Sequence, residues 1–378
     1  MSLKDPLKQH KELAGKIEMA LKAGLDNADD LSTYYTPGVG AVSSYLADHP
    51  EEVRDYTWLN NSVAVISDGS SVLGLGDIGP QASLPVMEGK CMLFKKFAGI
   101  DAVPVVLDVH SPDEIVNAIK AIASGFGGIN LEDIAAPICF EVERKLKREL
   151  EMPIMHDDQH GTAIVVLAGL INALKITGKQ LKDCKLVING AGAAGIAIAR
   201  LLKKYQPDMR ILLADSHGAL YAGRENLNPV KQHLLSKGTI VSDEKGELEK
   251  IISGSDIFIG VSRGNVVSGN MIRSMADKPI VFAMANPTPE IMPDEAKKAG
   301  AAVVATGRSD FANQVNNALA FPGIFRGALD SRVNRITSRH KIDAARVIAS
   351  LVENPDSDNI MPSIFDERLV PQIAKVIT

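Results

Sequence analysis

The sequence predicts an α/β protein: an N-terminal α/β substrate- and metal-binding domain over residues 1–158, then a Rossmann-type doubly wound parallel-sheet dinucleotide-binding domain with C-terminal helices over residues 159–378. Three observations predict it. A β-prone run enters a glycine loop and then a helical pattern at 185–204. Short apolar runs then alternate with helix-like segments. The first 158 residues are patterned differently, with polar, Gly-rich turns and two acidic pairs. A length of 378 residues suits two domains of about 100–200 residues each.

The glycine loop is the strongest local signal. Lys185-Leu-Val-Ile-Asn leads into Gly190-Ala-Gly192-Ala193-Ala194-Gly195, and Ile196-Ala-Ile-Ala-Arg-Leu-Leu follows with helical periodicity. In G-x-G-x-x-G the glycines serve a tight turn, close approach of backbone to pyrophosphate, and close helix–strand packing. Asp215 closes the next apolar run, 20 residues after Gly195, where an acid holds the adenosine ribose. Gly190, Gly192, Ala193, Ala194, Gly195, Asp215 and Ser216 are therefore the candidate cofactor contacts. Asp215 favours NAD, while His217, Arg224 and Lys231 leave room for the 2′-phosphate of NADP.

Further strands are expected at Ile257–Val261, Ile280–Met284 and Ala302–Ala305. Strands alternating with helices make a parallel sheet covered on both faces. In the first domain, strands are expected at Val63–Ser67 and Val103–Asp108 and a helix at Pro112–Ser124. The apolar segment Thr162–Ile176 contains Asn172 and falls short of the ~20 residues a bilayer span requires, so it reads as a buried helix, with the domain junction near Gly161. The last ~35 residues read as mostly helical.

Composition narrows the function. A net charge of −5 argues against a nucleic-acid binder. No membrane span or secretory signal is visible, so a cytoplasmic protein is expected. Cys91, Cys139 and Cys184 lack the spacing of a metal knuckle or redox pair and read as buried or free thiols.

Two acidic pairs remain, Glu132-Asp133 and Asp157-Asp158, in segments unlike a solvated charged helix. Carboxylates converging from separate loops suit a hard divalent cation, Mg²⁺ or Mn²⁺. A helix cap is the competing explanation for each pair alone. His156 and His160, flanking the second pair, read as supporting residues rather than ligands.

Tyr35-Thr-Pro-Gly-Val-Gly, Val72-Leu-Gly-Leu-Gly-Asp-Ile-Gly79, Met87-Glu-Gly-Lys90, Asn130-Leu-Glu-Asp-Ile134, His156-Asp-Asp-Gln-His-Gly-Thr-Ala163, Ala285-Asn-Pro-Thr288 and Asn316-Asn-Ala-Leu-Ala-Phe-Pro-Gly323 stand in the order seen in malic enzymes. Over residues ~33–330 the chain resembles the small prokaryotic form of that family. The resemblance implies oxidative decarboxylation of malate to pyruvate with NAD or NADP. It implies Glu132, Asp133 and Asp158 as metal ligands, and Lys90 as the base at the C2 hydroxyl with Asp157 beside it. Tyr35 would be the acid at C3, with Tyr34 a competitor for the role; Asn286 and Asn317 would hold the substrate carboxylate. It also implies a homodimer. A lysine serves as a base only when burial or a nearby cation lowers its pKa from ~10.4. Longer members carry an arginine before the Leu-Gly-Leu-Gly-Asp stretch, where this chain has Ser70-Ser-Val. Two rivals stand beside this reading: a soluble metal-dependent oxaloacetate decarboxylase without net redox chemistry, and a scaffold that keeps the fold without turnover.

Overall fold

The computed structural model describes residues 5–241 and 243–378. Helices α1 (Pro6–Leu13), α2 (Ala28–Tyr34), α3 (Gly38–Asp48) and α4 (Val53–Tyr56) form an N-terminal arm that buries no residue of its own. Leu7, Leu13, Met19, Leu21, Leu31 and Tyr35 of this arm are exposed.

The first sheet has strand order β2-β1-β3-β4, all parallel: β1 (Ser62–Ser67), β2 (Asp101–Val106), β3 (Gly128–Leu131) and β4 (Ile154–His156). β1 is buried at every position, which is what coverage of both faces demands. Helix α5 (Gly79–Ala98) packs on one face. Helices α6 (Pro112–Ile122) and α7 (Ile138–Glu149) share a core with the other. A capping box of Ser111 and Glu114 starts α6, which stops at Ile122 because a 3₁₀ turn over Ala123–Gly125 replaces its expected end.

Helix α8 (Asp157–Thr177) joins the two sheets. It begins five residues before the expected Thr162, so Gly161 and the 158/159 junction lie inside a continuous helix rather than a linker. Aspartates in a first turn complement the helix dipole, which explains the earlier start. At 21 residues α8 is long and apolar enough to cross a membrane by length and composition, yet most of it is buried inside the protein. Asn172, at its centre, donates to the carbonyls of Ala349 and Ile360.

The second sheet has order β10-β9-β8-β5-β6-β7: β5 (Lys185–Asn189), β6 (Arg210–Asp215), β7 (Gly218–Ala219), β8 (Ile257–Gly260), β9 (Ile280–Ala283) and β10 (Val303–Thr306). Only β7 runs antiparallel. Helices α9 (Ala193–Tyr205) and α10 (Pro229–Ser236) follow β5 and β7. Near the C-terminus, Phe321–Asp330, Ser338–Ser350 and Leu369–Ala374 are helical, but 351–368 is largely irregular, contrary to expectation. Phe321 and Phe325 pack against Phe94 of α5, so the C-terminal segment also supports the first sheet. The three cysteines are free and buried.

Candidate active site

The acidic pairs meet where β3 and β4 end side by side. Glu132 and Asp133 directly follow β3; Asp157 and Asp158 directly follow β4. Parallel pairing of Leu131 with His156 brings the pairs together. Asp157 and Asp158 lie in the first turn of α8, not in a loop. Among the described residues, Glu132, Asp133 and Asp158 each offer a carboxylate oxygen within 4.8 Å of the others. Asp133 has φ of 53°, a left-handed conformation that few residues other than glycine, asparagine and aspartate adopt. Its N–H donates to Asp158 Oδ2 at 2.8 Å, and its carbonyl accepts from Ser71.

Lys90 comes from α5 and is 7% exposed. Its Nζ donates to Asp157 Oδ2 at 2.5 Å and lies 2.9 Å from Glu132 Oε1. The Phe321 ring covers it at 4.2 Å. Burial by itself would lower the Lys90 pKa, but the two carboxylates more than offset this and hold it above the ordinary lysine range. Burial raises Glu132, with Lys90 opposing. Burial also raises Asp133, reinforced by Asp158 and Glu132. Asp157 is pushed up to about 6 by burial, against the pull of Lys90.

Asn130 opens the Asn130–Ile134 motif, and the sequence alone assigns it no role. Its Nδ2 donates to Glu132 Oε2 at 2.8 Å and orients that carboxylate. Phe321 likewise stands in a quoted motif. Glu143 carried no sequence signal; it accepts from the His156 N–H and pairs with His160 at 2.9 Å. His160 thus has a structural partner.

The remaining expected residues are distributed unevenly. A side chain at Gly161 would clash with the Asp157 carboxylate and meet Asn317, so Asn317 stands beside Asp157. Asn286 is exposed and precedes Pro287; a side chain at Gly74 would strike its carbonyl, which places the Val72–Gly76 turn against it. Tyr35, 63% exposed on the arm, makes no hydrogen bond to Lys90 or the acids among the described residues.

On the second sheet each glycine has a distinct task. Gly190 has φ of 122°. A side chain at Gly195 would strike the Gly190 carbonyl, whereas one at Gly192, the N-cap of α9, would meet nothing. Gly192 therefore keeps a helix N-terminus open to a phosphate. Gly190 N–H donates to the Ala214 carbonyl, setting the end of β6 beside the loop. Asp215 ends β6 there, followed by exposed Ser216.

A parallel-sheet domain carrying buried acids and a lysine, followed by a sheet with an open dinucleotide loop, defines a nucleotide-dependent dehydrogenase architecture. The chain belongs to the malic enzyme family: the family's N-terminal domain model matches residues 14–147 and its NAD-binding domain model residues 159–377. It is 52% identical to the bifunctional malic/malolactic enzyme of Bacillus subtilis, over 100% of this chain and 92% of that one. It is 43% identical to the NADP-dependent malic enzyme of Halomonas elongata, over 97% and 90%. Its fold matches the crystal structure of the NAD-dependent malic enzyme of Thermotoga maritima with a TM-score of 0.95 and 44% identity, over 99% of both chains.

Proposed function

We propose that the chain carries out metal-dependent oxidative decarboxylation of L-malate to pyruvate and carbon dioxide, with reduction of NAD or NADP. The observation that carries this reading is Lys90 held between Asp157 and Glu132 where three acids converge.

The donor set fits a hard divalent cation such as Mg²⁺ or Mn²⁺. Glu132, Asp133 and Asp158 are all oxygen ligands, and Asp133 Oδ2 is buried with no hydrogen-bond partner. Burying so many carboxylates beside one lysine is costly without a further positive charge. Glu132, Asp133 and Asp158 would hold the cation, and when bound it would supply the positive charge that polarises the C2 oxygen and offsets negative charge left by loss of carbon dioxide. With a cation bound beside it, the Lys90 ammonium would give its proton to Asp157, whose Oδ1 is unpartnered, and the neutral amine then takes the proton of the C2 hydroxyl. Asn286 and Asn317 hold the substrate carboxylate. The Gly190–Gly195 loop, with Ala193, Ala194, Asp215 and Ser216, holds the dinucleotide. This loop weighs against a decarboxylase without net redox chemistry. The working division of the chain is 1–158 for substrate and metal and 159–378 for the dinucleotide.

Tyr35 is the proton donor to C3 in this reading, yet it stands exposed on an arm that buries nothing. A homodimer that covers the arm accounts for both facts. The exposed Leu13, Met19, Leu21 and Leu31 are the apolar surface such a contact would bury.

The test incubates the purified protein with L-malate and Mn²⁺ plus NAD⁺ or NADP⁺, following reduced cofactor and pyruvate together. Metal-dependent formation of both, abolished by Lys90→Ala, supports the reading. Pyruvate from oxaloacetate without reduced cofactor from malate transfers the assignment to a decarboxylase. Tyr35→Phe should retain oxidation of malate while slowing release of pyruvate.

A further inference from the structure

A cavity of about 740 Å³ opens where α7 meets the first turn of α8 and helices α9 and α10. That volume suits a small molecule rather than a bare ion. Among the described residues, none of the glycine loop, Asp215, Lys90 or the four acids at the ends of β3 and β4 lines it, so it is separate from both sites described above. Pro112, Ile138, Phe140 and Pro229 give it apolar walls.

The polar part of the lining has donors to spare. Phe140, Arg144 and Lys147 follow the helical period and so share one face of α7. Arg200 comes from α9, and its guanidinium lies over the Phe140 ring at 5.7 Å. The carboxylates in the wall are already taken: Glu141 pairs with Lys145, and Glu143 with Lys147 and His160. Arg224 and Lys231, beside the dinucleotide loop, both pair with Asp215. Arg144 and Arg200, by contrast, have no acidic partner and donate no hydrogen bond among the described residues. Burial lowers the Arg200 pKa, with Glu143 opposing, so its charge is desolvated without a counterion in contact.

A second observation points the same way. Gln159, 2% exposed, also lines the cavity, and its buried Nε2 has no hydrogen-bond partner. A buried amide donor without an acceptor calls for one. Two uncommitted guanidiniums and this amide are all donors, and guanidiniums match carboxylate or phosphate oxygens in a bidentate fork. We propose that the cavity is a binding site for a small organic dianion, whose carboxylate or phosphate groups Arg144, Arg200 and Gln159 hold and whose carbon skeleton lies on the apolar wall. The proposal depends on neither the metal reading nor the dinucleotide reading above.

Calorimetric titration of the full chain with succinate and with phosphoglycolate, in the absence of divalent metal and dinucleotide, tests it. At least one probe should bind, and the tighter of the two tells whether carboxylate or phosphate is the preferred group. Arg144→Met and Arg200→Met should each weaken that probe by about 10- to 100-fold, the loss of one charge-assisted contact. Arg144 is exposed, so its substitution leaves the core untouched. Arg200→Lys, which keeps the charge and loses the fork, should give an intermediate loss and serves where Arg200→Met disturbs folding. Binding that neither arginine substitution weakens places the anion elsewhere, at the substrate site, and overturns the proposal. Failure of both probes to bind the unaltered protein overturns it too.

Discussion

The ends of β3 and β4 and the end of β6 both present carboxylates at the C-terminal edge of a parallel sheet, and they are charged in opposite senses. Glu132, Asp133, Asp157 and Asp158 face a single ammonium, Lys90, and buried oxygens there lack partners. Asp215 faces two cations, and both its oxygens are satisfied. A buried excess of either sign is costly, so it tells which ion the place is built to receive. The first suits a cation, the second an anion.

The largest expected effect sharpens the first half of this contrast. Lys90→Ala should lower kcat by about 10²- to 10⁴-fold, the range for loss of a general base. Mn²⁺ affinity should be kept or increased, since a competing cation has gone. Electron paramagnetic resonance titration of Mn²⁺ reads this directly, and a collapse of affinity would break the comparison. Next in size is Asn130→Ala, which frees Glu132 from its orienting donor. Mn²⁺ should then bind about 10- to 100-fold more weakly, as for other residues that orient metal ligands.

The smallest effect concerns a third charged group, Glu143 with His160 and Lys341, which serves as an internal control. Burial, with Lys147 nearby, lowers Lys341 to about 7, and burial lowers His160 to about 3. A base whose folded pKa is depressed opposes folding when it must be charged. Its stability contribution is therefore full above the unfolded value of 10.5 and is lost as pH falls through about 7. Lys341→Met should remove that slope and raise Tm by a few degrees at pH 6, seen by thermal melts across pH. The response should be the same with and without Mn²⁺. A Mn²⁺-dependent slope would mean that this group is coupled to the acid cluster.

Much of the second sheet was legible because β5, the glycine loop and α9 present their periods within one unbroken segment, 185–205. The core strands of the site were not. β3 and β4 have four and three residues, every one buried, so neither shows the alternation that reveals a strand. Their acids were recognised as residues before the strands that position them. The first turn of α8 was hidden for a related reason: His156-Asp-Asp-Gln-His reads as a polar loop, and only the apolar stretch from Thr162 shows helical character. Tyr35 illustrates a further limit. Its motif is plain in the chain, but its exposed position depends on how the arm packs, which local pattern does not encode.

Helix α8 carries one more consequence. Its first turn bears Asp157 and Asp158, and its middle shares a core with Ile196, Ile198 and Leu202 of α9, whose N-terminus is Gly192. The spacing between the acids and the dinucleotide loop is therefore set by side-chain interdigitation in a solid interior rather than by a hinge. Alignment of donor and acceptor across the two halves becomes a property of packing volume. A methylene gained at Ala163 or lost at Val166, both buried in the interior and outside the acid cluster, would register in the rate of hydride transfer before it registered in the melting curve.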